Sequence, residues 1–142
     1  MVKRKYKLLF IHSSAELYGS DICLFELLSR LPKRYESVVV LPEEGPLACK
    51  FRDKNIQVII ILLGVIRRCY IHPLRIFVYF FQFIYSIFKL VSIINEKDID
   101  LVHTNVGIVV PGAIAAFLTR KPHIWHIREI FPSIGGITKL FM

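Results

Sequence analysis

Residues Tyr6–Leu31 read YKLLFIHSSAELYGSDICLFELLSRL. Tyr6–His12 is an apolar run of strand length. Asp21–Leu31 sets Ile22, Phe25, Leu28 and Leu31 at helical spacing, the mark of an amphipathic helix. Between them SSAELYGSD carries Gly19 and Ser20 at the helix entrance. Strand, glycine-bearing turn and helix together begin a parallel α/β sheet.

The same alternation continues downstream. Ser37–Leu41 holds Val38, Val39 and Val40 and reads as a second strand, ended by Pro42 and Gly45. Pro46–Asn55 reads as a short helix with proline in its first turn. Ile56–Leu62 is the third expected strand and Asp100–Thr104 the fourth. Gly107–Thr119 is the next helix, and His123–Ile127 the fifth strand. Strands without internal polar alternation, separated by helices, indicate a parallel sheet covered on both faces. Right-handed crossovers then give a Rossmann-like, doubly wound α/β domain. Residues 1–142 are read as one such domain, with no repeat or low-complexity segment.

Leu74–Asn95 is almost wholly apolar and aromatic. Its less apolar positions, continued to the next residue, are Arg75, Tyr79, Gln82, Ser86, Lys89 and Glu96, spaced by four, three, four, three and seven. That spacing makes one narrow polar stripe on a helix. Ile76–Ile94 would be about 28 Å long as a helix, which is borderline for a bilayer. Alignment of the polar groups argues against spanning, and Lys89 would cost about 2.5–3.5 kcal/mol at a bilayer centre. The plainer expectation is a crossover helix on the sheet with its stripe in water. The sharper one adds that part of its apolar face touches an anionic membrane, helped by Arg67, Arg68 and Arg75.

The 19 basic and 11 acidic residues give a net charge of +8. A basic excess suits an anionic partner such as a nucleotide or a phospholipid surface. The charges are scattered, with no aromatic-interleaved basic tract, so no nucleic acid is expected. Cys23, Cys49 and Cys69 lack any pairing or metal spacing, which suits reduced, cytosolic thiols. The apolar run Leu8–Ile11 is too short for an export signal. A cytoplasmic location is therefore expected, with a possible peripheral site at the inner face of the cell membrane.

Ligands of a doubly wound sheet collect beyond the carboxyl ends of the strands, where strand order reverses. Here that crevice lies between the first and fourth strands. Ser13–Ser20, Asn105–Gly107 and His126–Ile130 border it. Gly19 permits close backbone approach, and Ser20 suits the N-cap of a helix whose free N–H groups attract an anion. A diphosphate fits such a site, although an ordinary β–α turn containing a glycine has the same spacing. No GxGxxG fingerprint is present. His126, in IWHIREI, sits at a strand end where it could donate or accept a hydrogen bond. His103, inside the fourth strand, is expected to be buried and hydrogen-bonded. Arg128 and Glu129 could pair, or Arg128 could meet an anion. Opposite parity of His123 and His126 makes a metal site from them improbable. Asp98 and Asp100 flank a strand start and are most simply solvated.

KLLFIHSS, YGSDICLFELLSRL, DLVHTN and GAIAAFLTRKPHIWHIREI occur in this order over Lys7–Ile130. The ordered set resembles the N-terminal domain of family-4 glycosyltransferases. That resemblance implies a GT-B fold, in which two Rossmann-like domains face each other across a cleft. It implies that this chain is the N-terminal, acceptor-side half, with the donor-binding half lying outside residues 1–142. Retaining transfer from a nucleotide sugar to a lipid-linked or polysaccharide acceptor would follow, without a bound metal or other cofactor. By the same resemblance, Gly19 and Ser20 meet the donor diphosphate. His126 assists catalysis by hydrogen bonding near the transferred sugar. Tyr18, Asn105, Arg128 and Glu129 line the acceptor side. The family's glycine pair is Tyr18–Gly19 here. Two alternatives stand beside this reading. One is a binding module that docks a catalytic subunit or a membrane surface. The other, an unrelated Rossmann-like epimerase or dehydrogenase, is disfavoured by the missing GxGxxG.

Overall fold

A computed structural model describes residues 4–63, 73–107 and 109–127. In chain order the elements are β1 (Tyr6–Ile11), α1 (Gly19–Ser29), β2 (Tyr35–Leu41), α2 (Pro46–Asp53), β3 (Gln57–Ile60), α3 (Pro73–Glu96), β4 (Leu101–Thr104), α4 (Val110–Leu118) and β5 (His123–Trp125). Every strand pair is parallel, and the spatial order is β3-β2-β1-β4-β5. Strand order therefore reverses between β1 and β4, as the sequence predicts. The domain is an α/β fold with a Rossmann-like parallel sheet.

Strand parity divides the core in two. Leu9 and Ile11 of β1, with Val38 and Val40 of β2, face Leu90 and Ile94 of α3 and Ala115 and Ala116 of α4. Phe10, Val39 and Leu41 point the other way, against Leu24 and Leu28 of α1 and Leu47 and Phe51 of α2. Each strand is buried on both faces, which explains its unbroken apolar run. Asn55, Asp98 and Arg120 adopt left-handed backbone just after α2, α3 and α4. The N–H that follows each reaches back five residues: Ile56 to Phe51, Ile99 to Ile94 and Lys121 to Ala116. These are Schellman closures, which turn the chain sharply into the next strand or turn.

Two expectations are corrected. The polar stripe of α3 is not its water face. Ser86 is fully buried and donates to the carbonyls of Leu62 and Gln82 at 2.9 and 2.6 Å. Tyr79 and Gln82 are half-buried, and only Lys89 and Glu96 of the described stripe are exposed. The water face carries Phe77, Phe81, Tyr85 and Phe88 instead. Asp100 is anchored, not simply solvated. It accepts from the Lys7 N–H at 2.9 Å and pairs with Arg4 at 2.6 Å. Asp98 is exposed, as expected.

Candidate functional site at the carboxyl end of the sheet

The carboxyl ends of β1, β4 and β5 bring Ser13–Ser20, Asn105–Gly107 and His126 to one end of the sheet. Below them lies a polar cluster that the sequence reading did not single out. His12 and Asp21 are both fully buried, with His12 Nε2 2.6 Å from Asp21 Oδ1. Asp21 sits at the third position of α1 and accepts the Tyr18 N–H at 2.9 Å. The Ser20 and Ser14 hydroxyls also donate to it, at 3.0 and 3.2 Å. Burial opposes ionisation of Asp21, but the His12 hydrogen bond, the Tyr18 N–H and the nearby imidazole outweigh it. The carboxyl is held below its ordinary range.

An ionised Asp21 places a proton on His12 Nε2. The other ring nitrogen, Nδ1, is 3.2 Å from both the Asn105 carbonyl and Asn105 Nδ2. A neutral His12 accepts from the amide there, and a protonated one donates to the carbonyl. Either state of His12 finds a partner on the β4 loop. The cluster thus ties the end of β1, the first turn of α1 and the loop after β4 into one unit. A sequence signal for it existed: an acidic residue at the third helical position is half of a capping box. Taking Ser20 as N-cap concealed it, because α1 starts at Gly19 with Tyr18 as N-cap. Ser20 is an interior first-turn residue.

The rim loop is pinned elsewhere as well. The Ala15 carbonyl accepts from the Leu47 N–H at 2.9 Å, and a Cβ on Gly45 would lie 2.5 Å from that same oxygen. Tyr18 has φ −76° and ψ 176°, ordinary extended backbone, so its position needs no glycine. Its ring is exposed on the rim. A Cβ on Gly19 would meet nothing within 4 Å. The space beside Gly19 at the start of α1 is therefore open.

Asn105 is fully buried beneath the rim, and its Oδ1 has no hydrogen-bond partner among the described residues. It contacts His12, not an open cleft. His126 is exposed just past β5, with its N–H bonded to the Thr104 carbonyl at 2.8 Å. Its ring stands edge-on to His103, centroids 6.0 Å apart. His103 is buried, as expected, and its ring also packs against Phe10. His123 bonds Thr104 Oγ1 through Nε2 at 2.9 Å, and burial lowers its pKa. Gly112 lets α4 close on this end of the sheet: a Cβ there would lie 2.5 Å from Thr104 Oγ1. No group of His, Cys, Asp and Glu suited to a metal ion occurs among the described residues. Arg128 and Glu129 lie outside the described residues, as do Arg67 and Arg68.

No protein-family model matches the chain, and no curated protein matches it. Solved structures do. Anabaena HepE, in complex with UDP, matches at TM-score 0.64 and 23% identity, covering 94% of this chain and 32% of that one. A Rickettsia africae glycosyltransferase matches at TM-score 0.62 and 15% identity, covering 96% and 33%. Acinetobacter baumannii MurG matches at TM-score 0.59 and 18% identity, covering 94% and 38%. The chain spans about a third of the length of each structure. Likeness at these identities is likeness of fold, and the fold shared is a Rossmann-like half of GT-B type.

Proposed function

We propose that this chain is the acceptor-side, N-terminal half of a retaining glycosyltransferase. The whole enzyme would move a sugar from a nucleotide-sugar donor to a lipid-linked or polysaccharide acceptor in surface polysaccharide assembly. One observation carries the reading. Gly19 at the start of α1, with open space beside it, and an exposed His126 share the carboxyl end of a sheet whose fold matches nucleotide-sugar enzymes. The HepE structures contain UDP or UDP-glucose, and one contains UDP with glucose.

In this reading the first-turn N–H groups at Gly19 and Ser20 face the donor diphosphate, whose negative charge the helix terminus favours. His126 hydrogen-bonds near the transferred sugar. Tyr18 offers its ring on the acceptor side, and Arg128 and Glu129 extend that wall. Asn105 acts from below, by holding His12. No metal is invoked. Much of the rate of such a transfer comes from holding two substrates in one geometry. The second wall of the cleft is assigned to a further domain.

The test uses the longest protein encoded by the reading frame through Met142, supplied with UDP-sugars and membrane lipid extract. Sugar transfer is expected, and His126→Ala should lower it by about two orders of magnitude with an unchanged circular dichroism spectrum. Near-normal turnover of the variant would sink the role of His126. A second reading has its own observation: Phe117, Leu118, Ile124 and Ile127 form an exposed apolar edge along α4 and β5. A binding module would dock its catalytic subunit there. A stop after Met142 beside a separate partner gene favours that reading. An in-frame second α/β unit favours the enzyme.

A further inference from the structure

Phe77, Phe81 and Phe88 are 68%, 70% and 71% exposed. On a helix these three positions lie within about 40° of arc. Tyr85 extends the same face, and Val78 and Phe80 flank it, all exposed. The opposite side of α3 is anchored: Ile87, Leu90, Ile93 and Ile94 are buried in the core, with Ser86 beside them. From Phe77 to Phe88 the outer side of α3 is thus apolar and exposed, while the side buried in the core runs from Ser86 to Ile94. A face of this composition in water marks an interaction surface.

Charge identifies the occupant. Positions 54–95 contain Lys54, Arg67, Arg68, Arg75 and Lys89, and no aspartate or glutamate. Lys89 is exposed at the edge of the aromatic face, its Nζ 6.0 Å from the Tyr85 ring centroid. The described face from Phe77 to Lys89 is therefore apolar with one basic edge, and the helix has no acidic residue before Glu96 at its carboxyl end. Two copies packed through α3 would bring like charges together. An anionic lipid surface takes both features at once: rings enter the headgroup–acyl boundary, and amines meet phosphates. By length and composition Phe77–Glu96 could also cross a bilayer. Packing of Leu90, Ile93 and Ile94 in the core argues against that, because those residues face the sheet and not lipid.

We propose that the outer face of α3 docks this protein peripherally on an anionic bilayer, with Phe77, Phe81, Tyr85 and Phe88 in the interface and Lys89 at lipid phosphates. The proposal does not depend on glycosyl transfer, since lipid binding is read without any sugar nucleotide. The sequence expectation of membrane contact left the contacting residues open. The structure assigns them.

The experiment is co-sedimentation of the full chain with sucrose-loaded vesicles. One set contains equal parts of phosphatidylglycerol and phosphatidylcholine, the other phosphatidylcholine alone. Binding is expected to the anionic set, weakened by salt, and the triple variant Phe77→Ser/Phe81→Ser/Phe88→Ser should bind about tenfold less or worse. Lys89→Gln should weaken binding less than the triple variant. The three phenylalanines are exposed, so the variant should keep its circular dichroism spectrum and unfolding midpoint. Equal binding to both vesicle sets, or unchanged binding by a folded triple variant, would overturn the proposal. So would a dimer in solution that the triple variant converts to monomer, which would assign the face to a second copy.

Discussion

Two regions of this molecule break opposite halves of one rule. At the carboxyl end of the sheet, polar His12, Asp21 and Asn105 are fully buried. On the outside of α3, apolar Phe77, Phe81 and Phe88 are exposed. The buried carboxylate is tolerable because Asp21 accepts from His12, Tyr18, Ser14 and Ser20, while Asn105 Oδ1 has no hydrogen-bond partner among the described residues. A buried carboxylate is stable only with such partners. No intramolecular partner covers the aromatic face among the described residues. The carboxylate is satisfied within the domain, and the aromatic face calls for something outside it. Variants should therefore alter folding in the first region and association in the second.

Removing Asp21 should have the largest effect. Asp21→Ala strands the His12 N–H in the interior, removes the acceptor of the Tyr18 N–H, and should cost about 3–5 kcal/mol, measured by urea unfolding. A cost below about 1 kcal/mol would mean that water replaces the carboxylate, so the cluster would not be sealed.

The same residue sets an acid limit. Its folded pKa lies below its ordinary value. Its contribution to stability is therefore present above the ordinary carboxylate range and lost as pH falls through the folded value. Unfolding midpoints across the acid range should show that loss, and Asp21→Asn should remove this component. An identical acid profile in the variant would assign the loss to other carboxylates.

The smallest effects divide α3 between its two sides. Ser86→Ala removes the bonds of its buried hydroxyl to the Leu62 and Gln82 carbonyls and should cost about 1 kcal/mol. Phe88→Ser, on the outer face, should change stability by less than about 0.5 kcal/mol. Reversal of that order would mean that α3 is rotated from the orientation described.

Much of the fold was legible along the chain. Valine-rich Ser37–Leu41 and the apolar run at Tyr6–His12 could hardly be anything but buried parallel strands, and their parity predicts two cores. The adjacency of β1 and β4 followed from topology, which located the rim before any residue was assigned to it. Element ends were less legible, because caps depend on backbone angles: α1 begins at Gly19, two residues before the helical period becomes clear. The His12–Asp21 pair was hidden for a similar reason. Neither residue forms a motif with the other in sequence, and only the turn from β1 into α1 brings them together. Asn105 was expected on the cleft surface but lies below it, since its backbone continues the bonding of β4 to β1.

By itself, the sequence determined the alternation of strands and helices, the length of α3, its periodicity and its basic surroundings. These are local properties, written in the spacing of residue types. Only the tertiary structure decided which side of α3 faces the sheet and which polar residues lie inside. Burial depends on what stands opposite a side chain. Ser86 could turn inward because two carbonyls receive its hydroxyl, and the phenylalanines were left outside because the sheet covers only one side of the helix.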